Sequence, residues 1–205
     1  MNVRSQRPNF FWRALAVTLA TAPSTQAHLM NTGFGPFYDG LTHLLVTPED
    51  LLPVIALALF AGLRGPRFGR VVLFVLPVAW LIGSATGAFL APQLVLSVPE
   101  IIVTIGLGVL LAADRSLPLS FVGALAILLG LMHGVVNGSE LPKTFSSDQV
   151  TAAGAAVALF VLVSLIAGQA TSVRVLWART VVRVVGSWIA AVGLLMLGWA
   201  MRVPA

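Results

Sequence analysis

Three side chains, His133, Asn137 and Glu140, have the types and the spacing to do chemistry together. They lie in the stretch L-M-H-G-V-V-N-G-S-E-L, from Leu131 to Leu141, at i, i+4 and i+7, so a helix puts all three on one face. The apolar and small residues that precede them, from Ser116 onward, are long enough to cross a bilayer. An imidazole, an amide and a carboxylate at one end of such a helix are costly to keep there, and the default reading of such groups is functional. The structural alternative is a helix that simply ends, with Asn137, Gly138 and Ser139 as its stop signal. A second set of polar groups stands at His43, Glu49 and Asp50, and a further acid at Glu100. His43 and Asp50 are seven residues apart and share a face if the segment is locally helical. Two histidines and several carboxylates, with no cysteine anywhere in the chain, form a plausible donor set for a divalent cation. Imidazole suits Ni, Co, Cu and Zn, while carboxylates are harder and less selective.

Each of these residues also has a plainer role. His43 can be a polar group at the headgroup level. Thr47-Pro48-Glu49-Asp50 makes a good helix start, with Thr at the cap, Pro first and acids in the first turn, where the dipole favours them. Glu100, after Pro99, can be a first-turn acid in the same way. Trp80 and Met132 read as packing or lipid-facing residues. Trp177, Trp188 and Trp199 read as anchors at the membrane interface. The pairs Gly83/Gly87 and Gly106/Gly108 favour close helix packing and permit dimers without specifying them.

These groups must be positioned by membrane helices. The chain is 58% hydrophobic and only 9% charged, and its mean hydropathy is +0.97, which excludes a soluble globular domain. The net charge of +5 does not require a nucleic-acid partner, because the arginines sit in small groups at the ends of apolar runs and no basic patch is interleaved with aromatics. Residues 1–27 read as a signal peptide. Arg4, Arg7 and Arg13 form a positive n-region, Ala14 to Ala22 a short apolar core, Pro23 a break, and Thr25-Gln26-Ala27 a small-x-small cleavage site. Cleavage there would leave His28 as the mature N-terminus, where a free amine and an imidazole together can chelate a divalent metal. The remaining residues, 28–205, read as a single transmembrane helical domain. Spans fall at about 42–63, 70–90, 94–113, 117–138, 149–171 and 181–201, each close to the length a bilayer requires. The fold class is therefore all-α, a polytopic bundle of about six membrane helices in a lipid bilayer. The first span should be kinked or non-helical in its first part, because Pro48 and Pro53 flank Glu49 and Asp50.

Arginine placement orients the bundle. With the mature N-terminus outside, the inner connections hold Arg64, Arg67 and Arg70, then Arg115, then Arg174, Arg179 and Arg183. The outer side holds only Lys143 and Arg202, as the positive-inside rule requires. This puts the mature N-terminus on the outer side of the membrane. It also places His43, Glu49, Asp50, Glu100, His133, Asn137 and Glu140 at the outer end, with Asp148 opening the fifth span. No nucleotide-binding loop and no HExxH-type pattern is present, so neither a primary pump nor a zinc hydrolase is favoured, and the reading is non-enzymatic.

With these motifs assembled, the chain resembles the HupE/UreJ family of small bacterial membrane proteins, associated with nickel and cobalt uptake for hydrogenase and urease. The family's first motif is a His, five residues, then Asp-His, leading into an apolar helix. Here it reads His43-L-L-V-T-P-Glu49-Asp50, with Glu49 where Asp is expected and Asp50 where His is expected. The second motif resembles F-H-G-x-A-H-G-x-E and here reads Met132-His133-Gly134-Val135-Val136-Asn137-Gly138-Ser139-Glu140, with Asn137 in place of the second His. Glu100, in V-P-E-I-I-V-T-I-G-L-G, resembles the acid that opens the family's third span. The resemblance implies a permease for a divalent transition-metal cation, Ni or Co before Cu or Zn. It also implies metalloenzyme-maturation partners. A metal-capturing accessory protein is the alternative. Relative to the family, this chain exchanges two imidazoles for oxygen donors.

Overall fold

The computed structural model describes residues 32–89, 97–140, 145–173 and 175–202, apart from the side chains of residues 97, 140 and 145–148. The proposed signal peptide and His28 lie outside the described residues. Among the described residues seven helices follow one another: α1 (Pro36–Val46), α2 (Pro48–Gly62), α3 (Pro66–Gly87), α4 (Ser97–Ala113), α5 (Leu119–Glu140), α6 (Phe145–Thr171) and α7 (Leu176–Ala200). No strand is present among the described residues.

The expected irregularity of the first span is a break between two helices. The chain bends by 72° between α1 and α2, at Thr47, whose backbone is extended. The residue before a proline is pushed out of the helical region, and Pro48 then restarts the helix at its first position. Thr47 occupies the N-cap position, but its side chain makes no capping hydrogen bond. Pro53, inside α2, removes the amide that would bond the Glu49 carbonyl, so the start of α2 is doubly loosened. Gly65, at φ +107, provides the tight turn into Pro66 and α3 that a side chain would strain.

Among the described residues, α3, α5, α6 and α7 are long and apolar enough to cross a membrane, and the broken pair α1–α2 makes a fifth candidate. The third expected span is shorter than the others: α4 has 17 residues, about 25 Å of helix. α2 lies at the centre and touches every other helix. Its Val54, Leu57, Phe60 and Ala61 are fully buried and pack with Leu44, Leu76, Leu111, Leu129 and Leu159 from the helices around it.

Small residues set the closest approach. A Cβ added at Gly83 would lie 2.6 Å from the Leu131 carbonyl oxygen, and one at Gly130 would lie 2.8 Å from that of Leu76. Gly87, Gly134 and Gly138 are equally pressed against backbone, so α3 and α5 meet along a seam built from both helices. Gly108 packs in the same way on Gly186 and Ala190 of α7, whereas Gly106 faces open space and makes no such contact. Trp177, Trp188 and Trp199 are exposed, as anchors are, but Trp188 sits midway along α7, about 18 Å from the helix start. It is therefore a mid-helix apolar face and not an end anchor.

Candidate functional site

The site is assembled from the carboxylate of Asp50 outward. Asp50 belongs to the first turn of α2, where the unpaired amides and the dipole of a helix start favour negative charge. It is buried nonetheless, 4% exposed, so its oxygens need partners from the protein. His133 supplies one: its Nδ1 is 2.7 Å from Asp50 Oδ1. The Asn137 side-chain amide donates to Asp50 Oδ2 at 3.1 Å and also to the His133 carbonyl at 2.9 Å. His43 Nε2 stands 3.5 Å from Asp50 Oδ2. Glu100 Oε1 lies 3.8 Å from His133 Nδ1. One carboxylate is thus approached by side chains from α1 and α5, with a second carboxylate from α4 beside it.

An ionised carboxylate can only accept hydrogen bonds, so the short contact puts a proton on His133 Nδ1. The other ring nitrogen, Nε2, is buried and has no hydrogen-bond partner among the described residues. The imidazole is completely buried, and its ring is stacked on Trp80 of α3, with centroids 5.7 Å apart and planes 21° from parallel. Trp80 is 1% exposed, so it belongs to the core and to the wall of this site.

The sequence-predicted residues separate into three groups. His43, Asp50, Glu100, His133 and Asn137 come together. Glu49 is exposed and makes no hydrogen bond or ion pair in the cluster. Its neighbour Asp50 is the acid that turns inward, because adjacent helix positions are about 100° apart. His28 and the side chains of Glu140 and Asp148 lie outside the described residues. The backbone of α5 is helical through Glu140, one residue past Asn137-Gly138-Ser139. His43 and Asp50 meet across the bend at Thr47 and not along one helix face.

Sequence reasoning missed the role of Trp80. Its indole reaches His133 across 53 positions of chain, and only the glycine seam between α3 and α5 signalled that the two helices would lie so close. Among the described residues, no group of three or more His, Cys, Asp or Glu side chains is arranged to hold one ion. The donors gather, but the Asp50 oxygens are taken up by hydrogen bonds.

Asp114 anchors a second polar cluster at the other ends of α2 and α4. Arg179 of α7 donates to Asp114 Oδ2 at 3.0 Å, and Arg64 Nη2 lies 3.7 Å from Asp114 Oδ1. Arg64 also bonds the Phe60 carbonyl at 2.8 Å, bonds the Arg115 carbonyl, and lies over the Phe60 ring. Burial draws the Arg64 guanidinium below its ordinary pKa, against the opposing pull of Asp114. Arg183 donates to the Ala112 carbonyl at 2.9 Å. Asp50 and Arg64 are fourteen residues apart on one rod, which separates the two clusters by about 21 Å.

A bundle of apolar helices with a buried imidazole–carboxylate–amide network at one end and arginines at the other has the make-up of a polytopic membrane protein. Residues 15–196 match the family model for the HupE / UreJ protein, and the chain belongs to that family. It is accordingly a membrane protein of a family concerned with nickel and cobalt. No curated protein and no solved structure matches the chain.

Proposed function

We propose that this protein is a permease for a divalent transition-metal cation, with nickel or cobalt as the first substrates to test. The observation that carries the proposal is the gathering of His43, Asp50, Glu100, His133 and Asn137, from four helices, around the Asp50 carboxylate and His133 Nδ1, with the far ring nitrogen of His133 unpartnered among the described residues. Nitrogen donors favour the later first-row ions, and a divalent charge offsets the cost of keeping Asp50 and Glu100 at this depth. The orientation follows from the arginines: the His end faces the periplasm, the arginine end the cytoplasm, and the membrane is the bacterial inner one. A cation drawn to the acidic outer end sheds part of its water onto His133 and the neighbouring carboxylates. It passes inward when the helices around α2 rearrange. Glu49, exposed at the same end, extends the acidic approach to the site.

The test is uptake of radiolabelled nickel and cobalt by cells producing the wild type or His133→Ala at equal membrane levels. Uptake should fall to background in the variant, and equal uptake would remove the proposal. A second reading is favoured by the hydrogen bonds that already tie both Asp50 oxygens to α5, which make the cluster a fixed site. On that reading the protein captures metal for a metalloenzyme-maturation partner without moving it across. Purified protein sealed in lipid vesicles separates the two, since a permease fills the vesicles unaided.

A further inference from the structure

The glycine seam, the indole stack and the Asp50 hydrogen bond act on the same imidazole. His133 lies between Gly130 and Gly134, and both glycines are pressed against the Trp80 backbone: a Cβ at Gly130 would come 2.9 Å from the Trp80 amide nitrogen, and one at Gly134 would meet the Trp80 carbonyl oxygen. The indole therefore has little freedom to move away from α5. Its ring lies nearly parallel to the imidazole at a stacking distance, which fixes the plane of the imidazole. The bond from Nδ1 to Asp50 fixes the remaining freedom, the rotation of the ring within its rotamer. Together they determine where Nε2 points, and Nε2 is a fully buried nitrogen with no partner among the described residues. Metal-binding histidines are commonly held in this way, with one nitrogen tied to a carboxylate and the other presented to the ion. An aromatic face then supplies the orientation that a hydrogen bond alone leaves loose.

We propose that Trp80 is the positioning residue of this site: its indole holds the His133 ring so that Nε2 is presented to a divalent transition-metal ion. The inference rests on the metal-handling reading above and adds to it a residue outside both His motifs. Trp80 touches the imidazole and not the ion, so its removal loosens the nitrogen donor while the bond from Nδ1 to Asp50 stays in place. A lost nitrogen donor weakens nickel far more than manganese, which is content with oxygen ligands. Loss of the fold weakens both.

The experiment measures nickel and manganese binding to the full-length protein purified in detergent, by calorimetry and by equilibrium dialysis. It compares the wild type with Trp80→Leu and Trp80→Phe. Trp80→Leu should bind nickel about tenfold more weakly with manganese changed less than about threefold, and Trp80→Phe, which keeps a ring face, should recover most of the nickel affinity. An unchanged nickel-to-manganese ratio in Trp80→Leu overturns the proposal, and so does a Trp80→Phe protein that loses nickel as fully as Trp80→Leu. A wild type that binds neither nickel nor cobalt overturns the metal reading and this inference with it. Wild-type binding with indifferent variants overturns only the role of Trp80.

Discussion

Replacing Gly83 by alanine tests the seam on which the site depends. The new Cβ would stand 2.6 Å from the Leu131 carbonyl oxygen and 3.0 Å from both the Gly134 Cα and the Val135 nitrogen, whereas ordinary contact begins at 3.4 Å. These neighbours are all backbone, so no side chain can rotate away, and α3 and α5 must part by about 0.8 Å. Overpacking on this scale costs about 1–3 kcal/mol. If α5 takes up the movement, the 2.7 Å contact between His133 and Asp50 lengthens towards about 3.5 Å, beyond hydrogen-bond range. Gly106→Ala is the control, because Gly106 lies inside α4 with nothing within 4 Å. There the same change should stabilise the helix by roughly 0.5–1 kcal/mol. Reversible unfolding in detergent, followed by circular dichroism, should therefore rank Gly106→Ala above the wild type and Gly83→Ala well below it. Gly83→Ala should also lose nickel affinity. A Gly83→Ala protein as stable as Gly106→Ala would refute the close approach of α3 and α5.

Asp50→Ala leaves the buried His133 Nδ1–H without its acceptor, at a cost of about 1–3 kcal/mol, while the half-buried Asn137 amide keeps the His133 carbonyl. It should lower the unfolding midpoint in detergent and abolish metal uptake in cells. Asn137→His places a second imidazole beside the same carboxylate and should tighten nickel binding in a competition titration, while leaving manganese nearly unchanged. Asp114→Asn keeps a residue type that tolerates the positive φ of 49° but removes the charge facing Arg64 and Arg179. It should destabilise the protein by about 1 kcal/mol at low salt, and the loss measured by unfolding should shrink as salt is raised.

Much of this arrangement is legible in the chain, and the gaps have physical causes. The i, i+4 spacing of His133 and Asn137 puts them on one face, and both do reach Asp50. Their helix runs to Glu140, one residue past Asn-Gly-Ser, and carries His133 and Asn137 against α3 through its glycines. Composition and pattern identified both acids after Pro48 but could not choose between them. Which one turns inward depends on the direction in which α2 leaves the bend. The first span was expected to be irregular from its prolines, and the break falls before Pro48, where proline restricts the preceding residue. Trp80 was assigned to packing because nothing local to V-A-W-L-I announces a partner on another helix. Trp188 was read as an end anchor because a tryptophan near apolar residues signals a membrane boundary only when its distance from the helix end is known.

The bend at Thr47 divides the site unevenly. α1 packs on α6 and brings only His43, whose contact with Asp50 is the long one at 3.5 Å. Asp50, His133 and Asn137 sit beyond the elbow, bound to one another at 2.7 and 3.1 Å. A swing of α1 about that joint lifts one imidazole off the pocket like the leaf of a door and leaves the frame standing.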